Sequence, residues 1–240
     1  MTSGNKICSK CIMDITDVDI KFNKKGICEY CLNFYENILP HWEQQKENKE
    51  IILKFSEKIK KESVNKEFDC IIGLSGGLDS SYCAHIVKNI MGLKPLLFHV
   101  DAGWNTDQAV SNIEKLVDGL NLDLYTKVAE WESVKRMQVA FLKSGIPDQD
   151  LVQDSIFFTE LYKFARKHNI KHVITGSNYS TECCREPEAW GGYLGIDKTL
   201  FNDIWKKHGD GKKIDFSLID ILEYKIWYQK ILGMKVLQPL

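Results

Sequence analysis

The chain has 240 residues, 44% of them hydrophobic, which is enough for one α/β domain with an appendage and a proper core. Thirty-two basic residues face thirty-three acidic ones, and a formal charge of −1 lacks the basic footprint of a nucleic-acid binder. No apolar run approaches the ~20 residues of a membrane span, and MTSGNKICSK has no signal-peptide core. The expected compartment is the cytoplasm, with no membrane partner.

The first predicted element, over residues 1–40, is a metal module. Cys8 and Cys11, then sixteen intervening residues, then Cys28 and Cys31 give two C-x-x-C pairs, the spacing of a zinc ribbon or similar four-thiolate site. Zinc is the first choice of metal, and the spacing alone is also compatible with an iron–sulfur cluster. Four thiolates leave no open coordination position, so the role expected is structural. Asn23-Lys24-Lys25-Gly26 reads as the turn between the pairs.

A linking segment, 41–67, carries a charged helix pattern from about Trp42 to Lys61. Ile51, Ile52, Phe55 and Ile59 define the face expected to pack on the main domain. The run Lys58 to Lys61 reads as a solvated face of that helix.

The third unit, 68–240, opens with DCIIGLSGGLDSS at residues 69–81, where a short apolar strand runs into Ser75-Gly76-Gly77-Leu78-Asp79-Ser80-Ser81 and then a helix from about Asp79 to Met91. Glycines without Cβ let the backbone turn its N–H groups onto one point, and the helix start adds free amides and the positive dipole end. This is an anion cradle suited to phosphate. It is not the Gly-x-x-x-x-Gly-Lys-Ser/Thr loop, because no lysine follows the glycines. Asp79 is a candidate Mg²⁺ ligand and also a candidate helix cap.

Beyond it, strands are predicted at 69–74, 95–100, 124–128 and 171–175, separated by helices near 79–91, 106–119, 130–144 and 151–168. Such alternation predicts a doubly wound parallel sheet with ligands beyond the strands' carboxyl ends, at the point where strand order reverses. Three loops fall on that edge: 75–81, His99 to Asn105, and Gly176 to Tyr179. Gly176 allows close backbone approach, Asn178, Glu182 and Arg185 are candidates for holding a sugar or phosphate, and Trp190 and Tyr193 for an apolar wall. Cys70 and Cys83 read as small core residues. Leu200, Phe201, Ile204 and Trp205 predict a helix within 197–232, and 234–240 reads as a fifth strand.

SGGLDSS resembles the PP-loop of the ATP pyrophosphatases, which split ATP between its α and β phosphates. The C-x-x-C pairs, DCIIGLSGGLDSS, HVDAGWN and TGSNYSTECCREPE together are similar to the N-acetyl-sugar amidotransferases of bacterial surface-polysaccharide biosynthesis, of the lipopolysaccharide and pseudaminic or legionaminic acid types. The resemblance implies a five-stranded adenine nucleotide alpha hydrolase-like fold. It implies ATP held by Ser75, Gly76, Gly77, Leu78, Asp79, Ser80 and Ser81, with Asp79 and Ser80 at the chemistry. Asp101 is then the nucleotide-side candidate at the second strand end; from its residue type alone it is equally an Asx turn. Gly176 is then the position where close backbone approach to the nucleotide is allowed.

The acceptor implied is a nucleotide-linked N-acetyl sugar, and the ammonia source a separate glutaminase subunit. Family members continue past this strand, so the resemblance implies a chain cut short of residues that close the pocket. Two rival readings stand beside it. A tRNA-thiolating PP-loop enzyme would use Cys183 and Cys184, and a non-catalytic module would only bind nucleotide.

Overall fold

The computed structural model describes residues 6–40, 49–178 and 197–240. Five parallel strands form its centre: β1 (Cys70–Gly73), β2 (Pro95–Asp101), β3 (Leu124–Val128), β4 (His172–Ile174) and β5 (Lys235–Leu237). Their spatial order is β3-β2-β1-β4-β5. The chain therefore winds outward from β1 through β2 and β3, then crosses to the other side for β4 and β5. Strand order reverses between β1 and β4, as the doubly wound reading requires.

The central strands are apolar because both faces are covered. Successive side chains alternate: Ile71, Phe98 and Val173 enter one core, Ile72, Leu97 and Ile174 the other. The first core is closed by α5 (Trp131–Ser144), α6 (Leu151–Lys167) and α7 (Lys198–His208). The second is closed by α2 (Lys49–Glu62), which comes after the short α1 (Glu29–Asn33) in the chain, together with α3 (Leu78–His85) and α4 (Asp107–Leu120). Cys70 and Cys83 are fully buried here, and burial pushes both thiols up, that of Cys83 to about 12. They are core residues, as expected. The outer strands β3 and β5 are more exposed and carry Lys127 and Lys235, charges that discourage edge pairing.

Helix ends follow local chemistry. Thr106 caps α4 by accepting the Ala109 amide at 3.2 Å, and Asn121 closes it at φ 48°. Glu130 caps α5 through the amides of Glu132 and Ser133, and Gly145 ends it at φ 71°.

Two sequence expectations need correction. The helix after β1 begins at Leu78 with Gly77 at the cap position, so Asp79 lies inside the first turn and is not the cap. Its last turn, Ile86–Ile90, is wound as π-helix. In α2 the inner line is half-buried Ile52 with buried Ser56 and Ile59, continued by buried Ser63 just past the helix end, while Ile51 and Phe55 face solvent. Hydroxyls decide this phase: Ser56 donates to the Met91 carbonyl, and Ser63 to that of Asp69 at 3.1 Å, so two polar residues occupy the inner face satisfied. Residues 42–48 of the predicted helix lie outside the described residues.

At the amino-terminal edge of β4, buried His172 places Nε2 3.0 Å from Glu62 Oε2, in poor alignment for a hydrogen bond. Glu62 is also gripped by Lys235 Nζ at 2.8 Å on both oxygens. Burial holds the His172 ring below its ordinary value, although Glu62 opposes this. The Lys235 hydrogen bonds hold the Glu62 carboxyl below its own. Both groups therefore bind fewer protons folded than unfolded, so stability is present above the unfolded values and lost on acidification. Urea unfolding is expected to show stability falling as pH drops below about 6.5, and H172Q is expected to flatten the curve between pH 7.5 and 5.5.

Candidate phosphate cradle and four-cysteine metal centre

At the reversal point, buried Leu74 follows β1 and the chain turns through Ser75, Gly76 and Gly77 into α3. Gly76 needs its φ of 77°, and it lies so close to α4 that a Cβ would stand 2.5 Å from the Ala109 carbonyl oxygen. Ser75 and Ser80 hydroxyls meet at 3.1 Å across the turn, and the amides of Ser75 and Gly77 donate to them, each at 3.3 Å. Ser81 donates its hydroxyl to the Gly77 carbonyl at 2.7 Å, which commits that proton within the helix. The first-turn amides of α3 open at the same place, where a helix has donors without intrahelical partners. Gly77 is extended at φ −82°, a conformation open to any residue, and its missing Cβ would meet only Ser75 Oγ, at 3.3 Å. The absent side chain leaves the space beside the Ser75 hydroxyl clear, which fits a phosphate.

From the other side of the crevice, Gly176 follows β4 and packs on the start of α3. A Cβ there would lie 2.8 Å from the Asp79 carbonyl carbon. This close approach is structural: it seats the β4 loop against the helix end beside the cradle. Thr175 Oγ1 is buried without a hydrogen-bond partner among the described residues. Asn178 donates to the Gly176 carbonyl at 3.3 Å, folding back on its own loop. Glu182 and Arg185, together with Cys183, Cys184, Trp190 and Tyr193, lie outside the described residues.

At the end of β2, Asp101 accepts the Gly103 amide at 2.9 Å, so it forms the Asx turn. Gly103, at φ 86°, is covered by the Trp131 ring, which meets Trp104 edge to face with centroids 5.4 Å apart. Residues not singled out in the sequence complete this edge. Buried His99 binds the Leu74 carbonyl through Nδ1 at 2.8 Å, and Asn112 donates to that of Gly76 at 3.0 Å. A lone histidine near the end of an apolar strand, at the start of the loop read as His99 to Asn105, is the only trace of this in the sequence.

The four cysteines converge. All four sulfurs lie within 4.8 Å of one another, with Cys11 to Cys28 at 3.7 Å and Cys8 to Cys31 at 3.9 Å. Tetrahedral zinc with Zn–S near 2.3 Å has edges of about 3.8 Å. Gly26 at φ 72° closes the turn, with Asn23 Oδ1 accepting the Lys25 and Ile27 amides. The Cys28 and Lys10 amides donate to Cys8 sulfur at 3.2 and 3.4 Å. Desolvation acts to raise the Cys8 thiol, but amide donation outweighs it and leaves the thiol lowered to about 6. Burial and neighbouring thiols push Cys31 up, and burial pushes Cys28 up. Such a set fits a thiophilic cation that offsets the crowding of sulfur charge.

No protein-family model matches the chain. It is 26% identical over 176 residues to an uncharacterized protein from Methanocaldococcus jannaschii, a match covering 70% of this chain and 58% of that one. It is 32% identical over 131 residues to one subunit of a glutamine-hydrolyzing GMP synthase from Methanosarcina barkeri, covering 53% and 40%. The chain thus spans about half the length of the curated relatives it matches. Among solved structures, it is similar to an ammonia-dependent NAD synthetase from Campylobacter jejuni, with TM-score 0.42, 20% identity, and 66% and 72% of the two chains covered. It is also similar to an NMN synthetase from Francisella tularensis, with TM-score 0.42, 22% identity, and 80% and 71% covered. Among the described residues, no helix is long and apolar enough to cross a membrane.

Proposed function

We propose that the chain is the ATP-activating part of an amidotransferase that converts the acetamido group of a nucleotide-linked sugar into an acetamidino group, for bacterial surface-polysaccharide biosynthesis. One observation carries this reading: Ser-Gly-Gly-Leu-Asp-Ser-Ser sits where strand order reverses, with hydroxyls and helix-start amides gathered at one point. The similarity to a subunit of a glutamine-hydrolyzing synthase supports nitrogen transfer.

In this chemistry the amide oxygen of the acetamido group attacks the α phosphorus of ATP, and the bond to pyrophosphate breaks. Pyrophosphate remains on the Ser75–Ser81 loop, whose amides stabilise the charge that develops on it. Asp79, with Ser80 beside it, would hold Mg²⁺, which supplies further charge neutralisation. Ammonia then attacks the activated carbon, a proton is lost, and AMP leaves with the former amide oxygen. An amide carbonyl otherwise resists ammonia because its oxygen is a poor leaving group. In this reading Asp101 and Gly176 remain the candidates beside the nucleotide, Asn178, Glu182 and Arg185 the candidates for holding the sugar, and a separate glutaminase would supply ammonia. Zinc at Cys8, Cys11, Cys28 and Cys31 is structural.

The test is product analysis. With ATP, Mg²⁺, ammonium and candidate nucleotide-linked N-acetyl sugars, ³¹P NMR is expected to show AMP and pyrophosphate, and mass spectrometry an amidine. ADP and orthophosphate would contradict it. The double substitution C183A/C184A is expected to leave sugar amidation largely intact; loss of activity specifically with a tRNA acceptor would instead favour thiolation.

A further inference from the structure

The loop's peptide planes are set from outside it. A trans peptide is planar and points its C=O and N–H in opposite directions. The Leu74 carbonyl is bonded to His99 Nδ1 at 2.8 Å, so the N–H of that plane, on Ser75, faces the other way, toward Ser80 Oγ at 3.3 Å. The Gly76 carbonyl accepts from Asn112 Nδ2 at 3.0 Å, so the N–H of its plane, on Gly77, is turned toward Ser75 Oγ at 3.3 Å. Both amides thereby face the Ser75 and Ser80 hydroxyl pair.

Donor identities follow from chemistry, because a carbonyl can only accept. Nδ1 of His99 must carry a proton, and in the neutral ring Nε2 then accepts from Asn105 Nδ2 at 3.0 Å. Asn112 must present Nδ2 to Gly76, which leaves its Oδ1 to accept from Gln108 Nε2 at 2.7 Å. Two relays thus run from the segment after β2 to the two carbonyls: Asn105 to His99 to Leu74, and Gln108 to Asn112 to Gly76.

We propose that His99 and Asn112 are positioning residues that hold the Ser75 and Gly77 amides toward the bound anion, with Asn105 and Gln108 orienting them in turn. The proposal rests on the reading that this loop binds the outer phosphates of ATP, and extends it by placing part of the anion affinity in side chains outside the loop. Without these donors a peptide plane beside Gly76 and Gly77 is free to rotate a carbonyl into the cradle, where it repels phosphate.

Calorimetric titration with pyrophosphate, and separately with ATP, tests this. H99F keeps an aromatic ring without the donor, and N112L keeps the size without donor or charge. Each is expected to weaken pyrophosphate binding about tenfold. H99N keeps a donor near the Nδ1 position and is expected to restore affinity to within about threefold of the parent chain. A purely packing role would predict no such rescue. Should H99F or N112L unfold, N105A and Q108A, which leave the direct donors in place, are expected to show a loss of about threefold. A parent chain that binds neither pyrophosphate nor ATP overturns the phosphate-loop reading itself. Folded H99F and N112L that bind pyrophosphate as tightly as the parent overturn the positioning proposal alone, and so does an H99N no tighter than H99F for the His99 relay.

Discussion

Gly77→Ala is expected to leave the fold intact and remove nucleotide binding. At φ −82° and ψ 170° the residue sits where alanine is at ease, and its Cβ would meet nothing closer than the Ser75 hydroxyl at 3.3 Å. That Cβ would stand beside the Ser75 hydroxyl, on the open side of the turn, and is expected to displace a phosphate oxygen from the amides and hydroxyl there. Losing two charge-assisted hydrogen bonds is worth on the order of a hundredfold in affinity. Thermal unfolding should move by no more than about 2 °C, since surface substitutions without strain are nearly neutral. The neighbouring glycines should behave oppositely. G76A forces a left-handed φ on alanine and drives Cβ to 2.5 Å from a backbone oxygen, and G176A drives Cβ to 2.8 Å from the Asp79 backbone. Both are expected to cost about 1–3 kcal/mol of stability, measured by urea unfolding. The contrast separates a glycine kept open for ligand from glycines needed by the fold.

The second large effect is expected at the cysteines. Elemental analysis of the purified chain should find one zinc per chain, and C28S should abolish it. Among the described residues, 6–40 contribute only Cys8 and Cys28 to the buried apolar set, both of them thiols of the cluster. Structural zinc contributes roughly 10–16 kcal/mol in small modules at neutral pH, so its loss should unfold this segment outright. Limited proteolysis of C28S should cut within residues 6–40 while 68–178 stays resistant. Acid should do the same to the parent chain, because protons compete with the metal for thiolates. An iron–sulfur cluster would instead show visible absorption and iron in the analysis.

The sheet was legible because its signals are local. Cys70 to Gly73 and Pro95 to Phe98 are continuous apolar runs, and the alternation of strands with helices implies parallel pairing. The cradle was legible because its glycines and serines are contiguous. Its supports were not, since His99 and Asn112 reach carbonyls 25 and 36 residues away, and no pattern in one sequence pairs an amide side chain with a distant backbone oxygen. The face of α2 was misphased for a related reason. Hydrophobic spacing put Ile51 and Phe55 inward, whereas Ser56 and Ser63 take the inner line by bonding carbonyls outside the helix. The expectation of Asp79 as cap failed because the helix starts two residues earlier than that cap would require, leaving Gly77 at the cap.

Hydrogen exchange of the backbone amides, followed with and without ATP and Mg²⁺, addresses the phosphate loop directly. Slowed exchange centred on residues 75–81, lost in G77A, is the predicted result. ATP that binds while those amides exchange unchanged, or that protects only a surface away from the ends of β1 and β4, would contradict the assignment of this turn as the grip on the outer phosphates.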